Sequence, residues 1–422
     1  MSNQKVKGTQ DLFDQQILKY RYVEKAMTSL IKKFGYQEII TPIFENTEVF
    51  VRGVGDDTDI VKKEMYTFKD KSDRSLTLRP EGTAAVVRSF LENKMYANQA
   101  LTKLFYFGPM FRYERPQAGR FRQFNQFGIE AFGESSPLLD ADVINSAYQI
   151  ITNLGINNII LKINSIGDKT SREQYATALK EYFKPQIASF CEDCNNRLDR
   201  NPLRILDCKV DKDNESLQNA PKIMNFLTEE SKTYFSKVLG ILDLLGIKYE
   251  ITPTLVRGLD YYTDTVFEFV INSDDETNNL TLCGGGKYSD LIKSFGGPDL
   301  PGIGYAFGIE RLISILETQN LFPSLTFPAN VVIIGLDEQS KATSLQLASD
   351  LRANGFFVEL DYKNISMKPQ FRLADNKQAR FIVIIGEEER TNKTYTVKNT
   401  LSKEQISLSQ NDIIKYLKEN LE

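Results

Sequence analysis

The chain has 422 residues, 41% hydrophobic and 26% charged, enough to bury a large core in two or three domains, and its net charge of −4 argues against a protein that coats nucleic acid through a broad basic face. Histidine and tryptophan are both absent, which excludes an imidazole general base, a Ser-His-Asp or Cys-His nucleophile pair and any histidine-ligated metal, so catalysis must rest on arginines, carboxylates, backbone and bound ions. The opening MSNQKVKGTQDLF has no apolar run of signal length, no stretch approaches the roughly 18 apolar residues of a membrane span, and four cysteines are too few for a disulfide framework, which together predict a cytoplasmic protein.

Within residues 15–34, Ile17, Tyr20, Val23, Met27, Leu30 and Ile31 recur at spacings of three and four and predict an amphipathic helix. Gly35 stands where its stop is expected. Residues 38–44 read as a strand interrupted by Pro42, which fits a strand only at an edge or an irregular position. Residues 65–68 and 75–78 read as a hairpin about a polar loop, and Pro80-Glu81-Gly82-Thr83 leads into a helix through Met95.

Residues 104–113 and 121–132 read as aromatic-rich antiparallel strands joined by Glu114-Arg115-Pro116-Gln117-Ala118-Gly119-Arg120. Alternation along the second puts Arg120, Arg122, Phe124, Gln126, Gly128 and Glu130 on one face. With Arg112 on the partner strand, a phosphate-binding arginine would share a surface with a carboxamide and a carboxylate; the plainer alternative is a solvated face with charge pairs across strands.

From about residue 164 to 249 the pattern turns helical and charged, and strands resume near Leu255, which reads as a module inserted between two halves of one sheet. Cys191-x-x-Cys194 with Cys208 suggests zinc, but three cysteines without histidine leave a tetrahedral site one ligand short. Incidental or structural thiols are the preferred reading, with no metal expected on the cysteines. In residues 255–262, LVRGLDYY, a glycine interrupts a strand-like run and would aim Arg257 into a cleft. Glycines in CGGGKY (283–288) and in residues 302–311 let backbone approach a ligand, with Arg311 in the first turn of the next helix. No strand-GxGxxG-helix unit with a downstream acid is present, so a dinucleotide fingerprint is rejected. Past Phe327-Pro328, residues 331–386 alternate as βαβαβ and predict a separate α/β domain.

Taken together these segments resemble the class II aminoacyl-tRNA synthetases over essentially the whole chain, and histidyl-tRNA synthetases in particular. Thr41-Pro42 is similar to motif 1 of that class, FRYERPQAGRFRQFNQFGIE to motif 2 and GIGYAFGIERL to motif 3, while LVRGLDYYTDTVFEF, TLRPEGT and CGGGKY narrow the amino acid to histidine. The resemblance implies an α+β catalytic core, an antiparallel sheet flanked by helices (residues 1–163 and 251–326), a helical insertion (164–250) and a C-terminal α/β anticodon-binding domain (327–422), in a homodimer joined through motif 1.

It also implies ATP, Mg²⁺, L-histidine and tRNA(His) as ligands, and roles for single residues. Arg112 and Arg257 would contact the α-phosphate, Arg112 also the substrate carboxylate, and Arg120 and Arg311 the outer phosphates. Glu81, Thr83 and Gln126 would hold the α-amino group, Glu130 and Tyr262 the imidazole nitrogens, and Tyr261 and Tyr288 would close the pocket. Three positions depart from the usual spelling: Ala118 for lysine, which shifts contact with the tRNA acceptor end to Arg115 and Gln117, Asn125 for histidine, and Lys287-Tyr288-Ser289 for arginine-tyrosine-aspartate. A regulatory paralogue without catalysis is the rival from another class; it typically lacks the C-terminal domain and the catalytic arginines, which this chain keeps. A synthetase for threonine or proline is the second rival, and RGLDYY argues against it.

Overall fold

Apolar spacing and charge placement account for the first helix, Asp14–Lys33, which buries Val23, Met27 and Ile31 and carries Asp14 in its first turn and Lys32 and Lys33 in its last, each charge complementing the helix dipole. Gly35, at φ +81°, takes the left-handed conformation that ends it. The computed structural model describes residues 3–55, 58–115, 119–208, 210–259, 261–273, 277–326, 329–363 and 366–421. The chain divides into two units, Met1–Pro323 and Ser324–Glu422.

The described strands of the first unit are β1 (Gln37–Glu38), β2 (Phe44–Asn46), β3 (Tyr66–Lys69), β4 (Ser75–Leu78), β5 (Thr102–Phe111), β6 (Gln123–Phe132), β7 (Ile159–Ser165), β8 (Tyr249–Ile251), β9 (Thr263–Ile271), β10 (Thr281–Tyr288) and β11 (Gly302–Gly308). Eight of them form one sheet in the order β1-β5-β6-β11-β10-β9-β7-β8, and β2-β4-β3 form a small second sheet. The large sheet is antiparallel except at its rims, where β1 runs parallel to β5 and β8 parallel to β7.

Two expectations are corrected. Residues 38–44 are not one strand: β1 ends at Glu38 and the chain re-enters as β2 in the other sheet, with Pro42, which has no N–H for a ladder, in between. The described residues of 255–262 are irregular, with a bend at Gly258 and Leu259, rather than a strand.

Period-two alternation sorts the large sheet into a packed face and a site face. Phe105, Phe127, Ile129, Ile163, Phe267, Phe269, Ile303 and Phe307 join the main core beneath the helices Asp14–Lys33, Pro137–Asn153, Glu229–Leu244 and Ile309–Thr318. Leu104, Tyr106, Phe132, Val266 and Tyr288 point the other way and pack with Val86, Val87 and Phe90 of the helix Thr83–Glu92.

Between β7 and β8, the helices Lys169–Phe183 and Glu192–Arg200 build a small core of their own from Tyr175, Leu179, Phe183, Cys194, Ile205 and Cys208. The helix Glu229–Leu244 returns Phe235, Val238 and Leu242 to the main core.

In the second unit, β12 (Val331–Gly335), β13 (Val358–Leu360), β14 (Phe381–Ile385), β15 (Thr394–Asn399) and β16 (Gln405–Ser409) lie in the order β13-β12-β14-β15-β16. The first three are parallel, as the βαβαβ pattern requires, and the last two are antiparallel. Ile333, Phe381 and Val383 pack with Leu347 and Leu351 of the helix Glu338–Ala353 and with Ile413 and Leu417 of Gln410–Glu419. No described helix is long and apolar enough to cross a membrane.

Phe127 sits at the centre of the packed face, its ring 6.0 Å from Phe105, 6.4 Å from Phe107 and 6.3 Å from Phe307. Phe127→Ala should destabilise the first unit by about 3–5 kcal/mol, seen as a lower midpoint in thermal or urea unfolding followed by near-ultraviolet circular dichroism.

Candidate active site

On the site face, the sheet register brings residues distant in sequence together. β5 opposite β6 pairs Tyr106 with Gly128 and Gly108 with Gln126, and β6 opposite β11 pairs Glu130 with Gly304. The result is a cavity of about 330 Å³ lined by residues of the segments 81–83, 112–130, 257–262, 281–288 and 304–311. It contains Glu81, Thr83, Arg112, Arg120, Gln126, Glu130, Arg257, Tyr261, Tyr262, Tyr288 and Arg311, residues the sequence singles out. Arg115 is exposed and does not line this cavity. Gln117 and Ala118 lie outside the described residues.

One end of the cavity is acidic and aromatic. Glu130 is buried in β6; Thr83 Oγ1 donates to its Oε1 at 2.7 Å, and the Tyr288 hydroxyl donates to Oε2. Burial raises the Glu130 carboxyl to about 8, against the lowering pull of these two hydroxyls, and nearby Glu81 adds to the rise. Glu81 accepts the backbone amides of Thr83 at 2.6 Å and Ala84 at 2.8 Å, capping the helix Thr83–Glu92 with an acid where its dipole is positive. The Tyr261 ring lies 4.6 Å from Tyr262 and 5.4 Å, edge-on, from Tyr288.

The other end is cationic. Arg112 donates through Nε to Pro80 O at 2.8 Å and lies over the Phe124 ring. Arg311 donates to Thr281 O at 2.7 Å, and Arg120 stands 3.6 Å from Glu114. Burial, with neighbouring Arg120, holds the Arg311 guanidinium below the usual arginine range.

Arg257 is bound to Glu268 of β9. Burial alone would lower its affinity for a proton, and the Glu268 carboxylate together with Tyr262, Tyr261 and Cys283 more than offsets this. A side chain at Gly284 would overlap the Arg257 guanidinium, and one at Gly304 would overlap the Glu130 carboxylate, so both glycines make room for functional groups. Arg257 Nε and Gln126 Oε1 are buried without a hydrogen-bond partner among the described residues, a costly state unless a ligand supplies the missing group.

A family model described as histidyl-tRNA synthetase matches residues 8–312. The chain belongs to the histidyl-tRNA synthetase family. A second model, described as an anticodon-binding domain, matches residues 330–420. The chain is 49% identical over 424 residues to the histidine–tRNA ligase of Anoxybacillus flavithermus, covering 100% of both chains. It is 49% identical over 415 residues to that of Bacillus subtilis, covering 98% of each. The crystal structure of apo S. aureus histidyl-tRNA synthetase superposes with a TM-score of 0.85 at 41% identity, covering 99% of this chain and 100% of that one.

For a histidyl-tRNA synthetase family member, three contributors escaped the sequence reading. Tyr106 fills the floor of the cavity, its ring occupying space that a side chain at Gly82 or Gly128 would take. Glu268 neutralises Arg257 from β9. Glu310 fixes the motif 2 strand by accepting from Asn125 N and, at 2.7 Å, from Asn125 Nδ2. Only cross-strand register could have revealed the first two. Arg122, expected on the cavity face, instead stacks its guanidinium 4.0 Å from the Tyr113 ring centre and does not line the cavity.

The Glu130 shift makes a pH prediction. Its folded value of about 8 lies above the ordinary 4.5, so this group favours the fold least once pH has risen through about 8 and has no differential effect well below 4.5. Relative to the parent, Glu130→Gln should therefore gain thermal stability by several degrees as pH rises through that window. A melting-temperature difference independent of pH would contradict this.

Proposed function

We propose that the cavity binds L-histidine at its acidic, aromatic end and ATP along its arginines, and that it first joins them as histidyl-adenylate. The carrying observation is the convergence of Arg112, Arg120, Arg257 and Arg311 with buried Glu81 and Glu130 in one cavity, together with the orphaned Arg257 Nε and Gln126 Oε1. As a histidyl-tRNA synthetase family member, the chain charges tRNA(His) with histidine.

The histidine carboxylate is itself the nucleophile, so the protein's task is to align it with the α-phosphorus and neutralise charge as pyrophosphate departs. Guanidinium groups suit this because they stay charged and grip oxygens bidentately. Arg112 and Arg257 are assigned to the α-phosphate, with Arg112 also holding the substrate carboxylate; Arg120 and Arg311 take the outer phosphates. Glu81, Thr83 and Gln126 hold the α-amino group. Glu130 and Tyr262 hydrogen-bond the imidazole nitrogens, and Tyr261 and Tyr288 close the pocket around the ring.

The carboxylates Glu114 and Glu310 line the same cavity as Arg120 and Arg311, a hard oxygen donor set that fits Mg²⁺. When bound with ATP, the ion would add positive charge at the outer phosphates. In the second step the 3′-terminal ribose hydroxyl of tRNA(His) attacks the adenylate carbonyl, with the displaced phosphate as proton acceptor. Arg115 and Gln117 are assigned to the acceptor end and the C-terminal unit to the anticodon. A cytoplasmic location accompanies this reading.

The active form is assigned as a homodimer joined around motif 1. Ile40 is 83% exposed, and Ile43, Phe44 and Phe68 are exposed beside it in sequence or across the small sheet. Apolar side chains grouped in this way favour an interface. Ile40→Glu or Ile43→Glu should give inactive monomers in analytical ultracentrifugation, and a fully active monomer at assay concentration would refute the assignment.

The site itself is tested by ATP–pyrophosphate exchange with each amino acid in turn, which should require histidine. Arg257→Ala should lower kcat of the histidine-dependent exchange by about 100- to 1000-fold while changing KM for histidine far less, because the contact counts most in the transition state. Lysine at this position should restore only part of the rate. Equal exchange by parent and Arg257→Ala would remove Arg257 from the mechanism.

A further inference from the structure

Away from the catalytic cavity, the helical module gathers four metal-type donors. One ligand atom each from Cys191, Cys194, Cys208 and Asp211 lies within 4.8 Å of all the others. Cys191 precedes the helix Glu192–Arg200, which carries Cys194 in its first turn. Cys208 and Asp211 arrive after the single 3₁₀ turn Pro202–Ile205. Counting only cysteines and histidines leaves three donors; the fold supplies the fourth as a carboxylate.

The distances discriminate between explanations. Cys191 Sγ and Cys208 Sγ are 3.6 Å apart, far beyond the S–S bond of about 2.05 Å. They match the edge of roughly 3.8 Å of a tetrahedron with metal–sulfur bonds of about 2.3 Å. Asp211 Oδ2 lies 3.3 Å from Cys208 Sγ. The same carboxylate accepts the Cys191 amide at 3.1 Å, and the Asp211 amide donates to Cys208 Sγ at 3.4 Å. Hydrogen bonds of this kind orient ligands around a metal and support negative charge on sulfur. Cys194 and Cys208 are buried against Phe190, Leu198 and Ile205, an apolar shell behind the site, while Cys191 and Asp211 are half-buried on its outer side.

We propose that Cys191, Cys194, Cys208 and Asp211 bind one zinc ion in a closed, four-coordinate structural site. Three thiolates are soft ligands that select zinc over magnesium or calcium, and four protein donors leave no open position for catalysis.

The site would also brace the catalytic cavity. Between the two halves of the ligand set, Arg204 donates through Nη1 to Gly258 O at 2.7 Å, next to Arg257 in the chain. Arg197 donates to Arg204 O at 3.3 Å, from the helix that carries Cys194. Zinc would tie the start of that helix to the segment after Arg204 and so hold the hand that grips the Arg257 segment.

The test uses the full chain, purified without added metal or chelator and exhaustively dialysed. Elemental analysis should find about one zinc per chain, and Cys191→Ser/Cys208→Ser should lose it. After zinc is stripped from the parent, Co²⁺ should give near-ultraviolet thiolate-to-cobalt charge transfer and the intense visible bands of tetrahedral cobalt. Asp211→Cys should keep the zinc and shift those cobalt bands, which mere thiol packing would not do. Zinc retained undiminished by the double serine variant would overturn the proposal. So would a parent chain that neither contains zinc nor develops the cobalt spectrum; that measurement stands even if the serine variant fails to fold.

Discussion

A guanidinium can be held inside a protein only if its charge is answered there, and the catalytic half of this molecule is arranged around one such answer. Arg257 reaches the cavity from an irregular segment and meets Glu268, which projects from a strand in the middle of the sheet. Breaking this half-buried pair, each side chain of which keeps 20% of its surface exposed, leaves a charge without its partner, at a cost below the roughly 3–5 kcal/mol of a fully buried pair. Glu268 lies opposite Gly284 in the strand register, and that neighbour must be a glycine for the guanidinium to fit. Sheet register, a bare backbone position and an ion pair are thus one requirement expressed three times. Arg257 Nε has no hydrogen-bond partner among the described residues, and the proposed reading gives that donor to a ligand.

Periodicity made the scaffold legible. The three- and four-residue spacing of Val23, Met27 and Ile31 marked the first helix, and the alternation of Phe127 and Ile129 with Gln126 and Glu130 marked which side of β6 faces the core. The candidate site was legible only through resemblance, because nothing in local pattern says that Arg112, Arg257 and Arg311 meet; long-range strand pairing decides that. The same limit explains the errors. Pro42 signalled irregularity but not that the chain changes sheets there, and the apolar letters of 255–262 hid a segment held by side chains from elsewhere, such as Arg204. Arg122 alternates with the cavity residues on paper, yet it precedes β6, where the pleat no longer governs its direction.

The absence of histidine from the whole chain gives the cavity a simple division of labour. Its cations are arginines, whose charge does not vary near neutrality, while its adjustable group is a carboxyl, Glu130, poised near 8 by burial. On the proposed reading the only imidazole in the site arrives with the substrate. The group that recognises it is then the protein group in the cavity whose protonation is most open to change on binding.

The rims of the large sheet carry a different consequence. β1 has two residues and β8 three, each with a glutamate, Glu38 and Glu250, and both strands run parallel to their neighbours. Long, flat, apolar edges are templates for uncontrolled strand addition. These are too short and too charged to recruit a passing chain, so a sheet with a broad aromatic interior can be made in quantity without seeding fibrils from its margins.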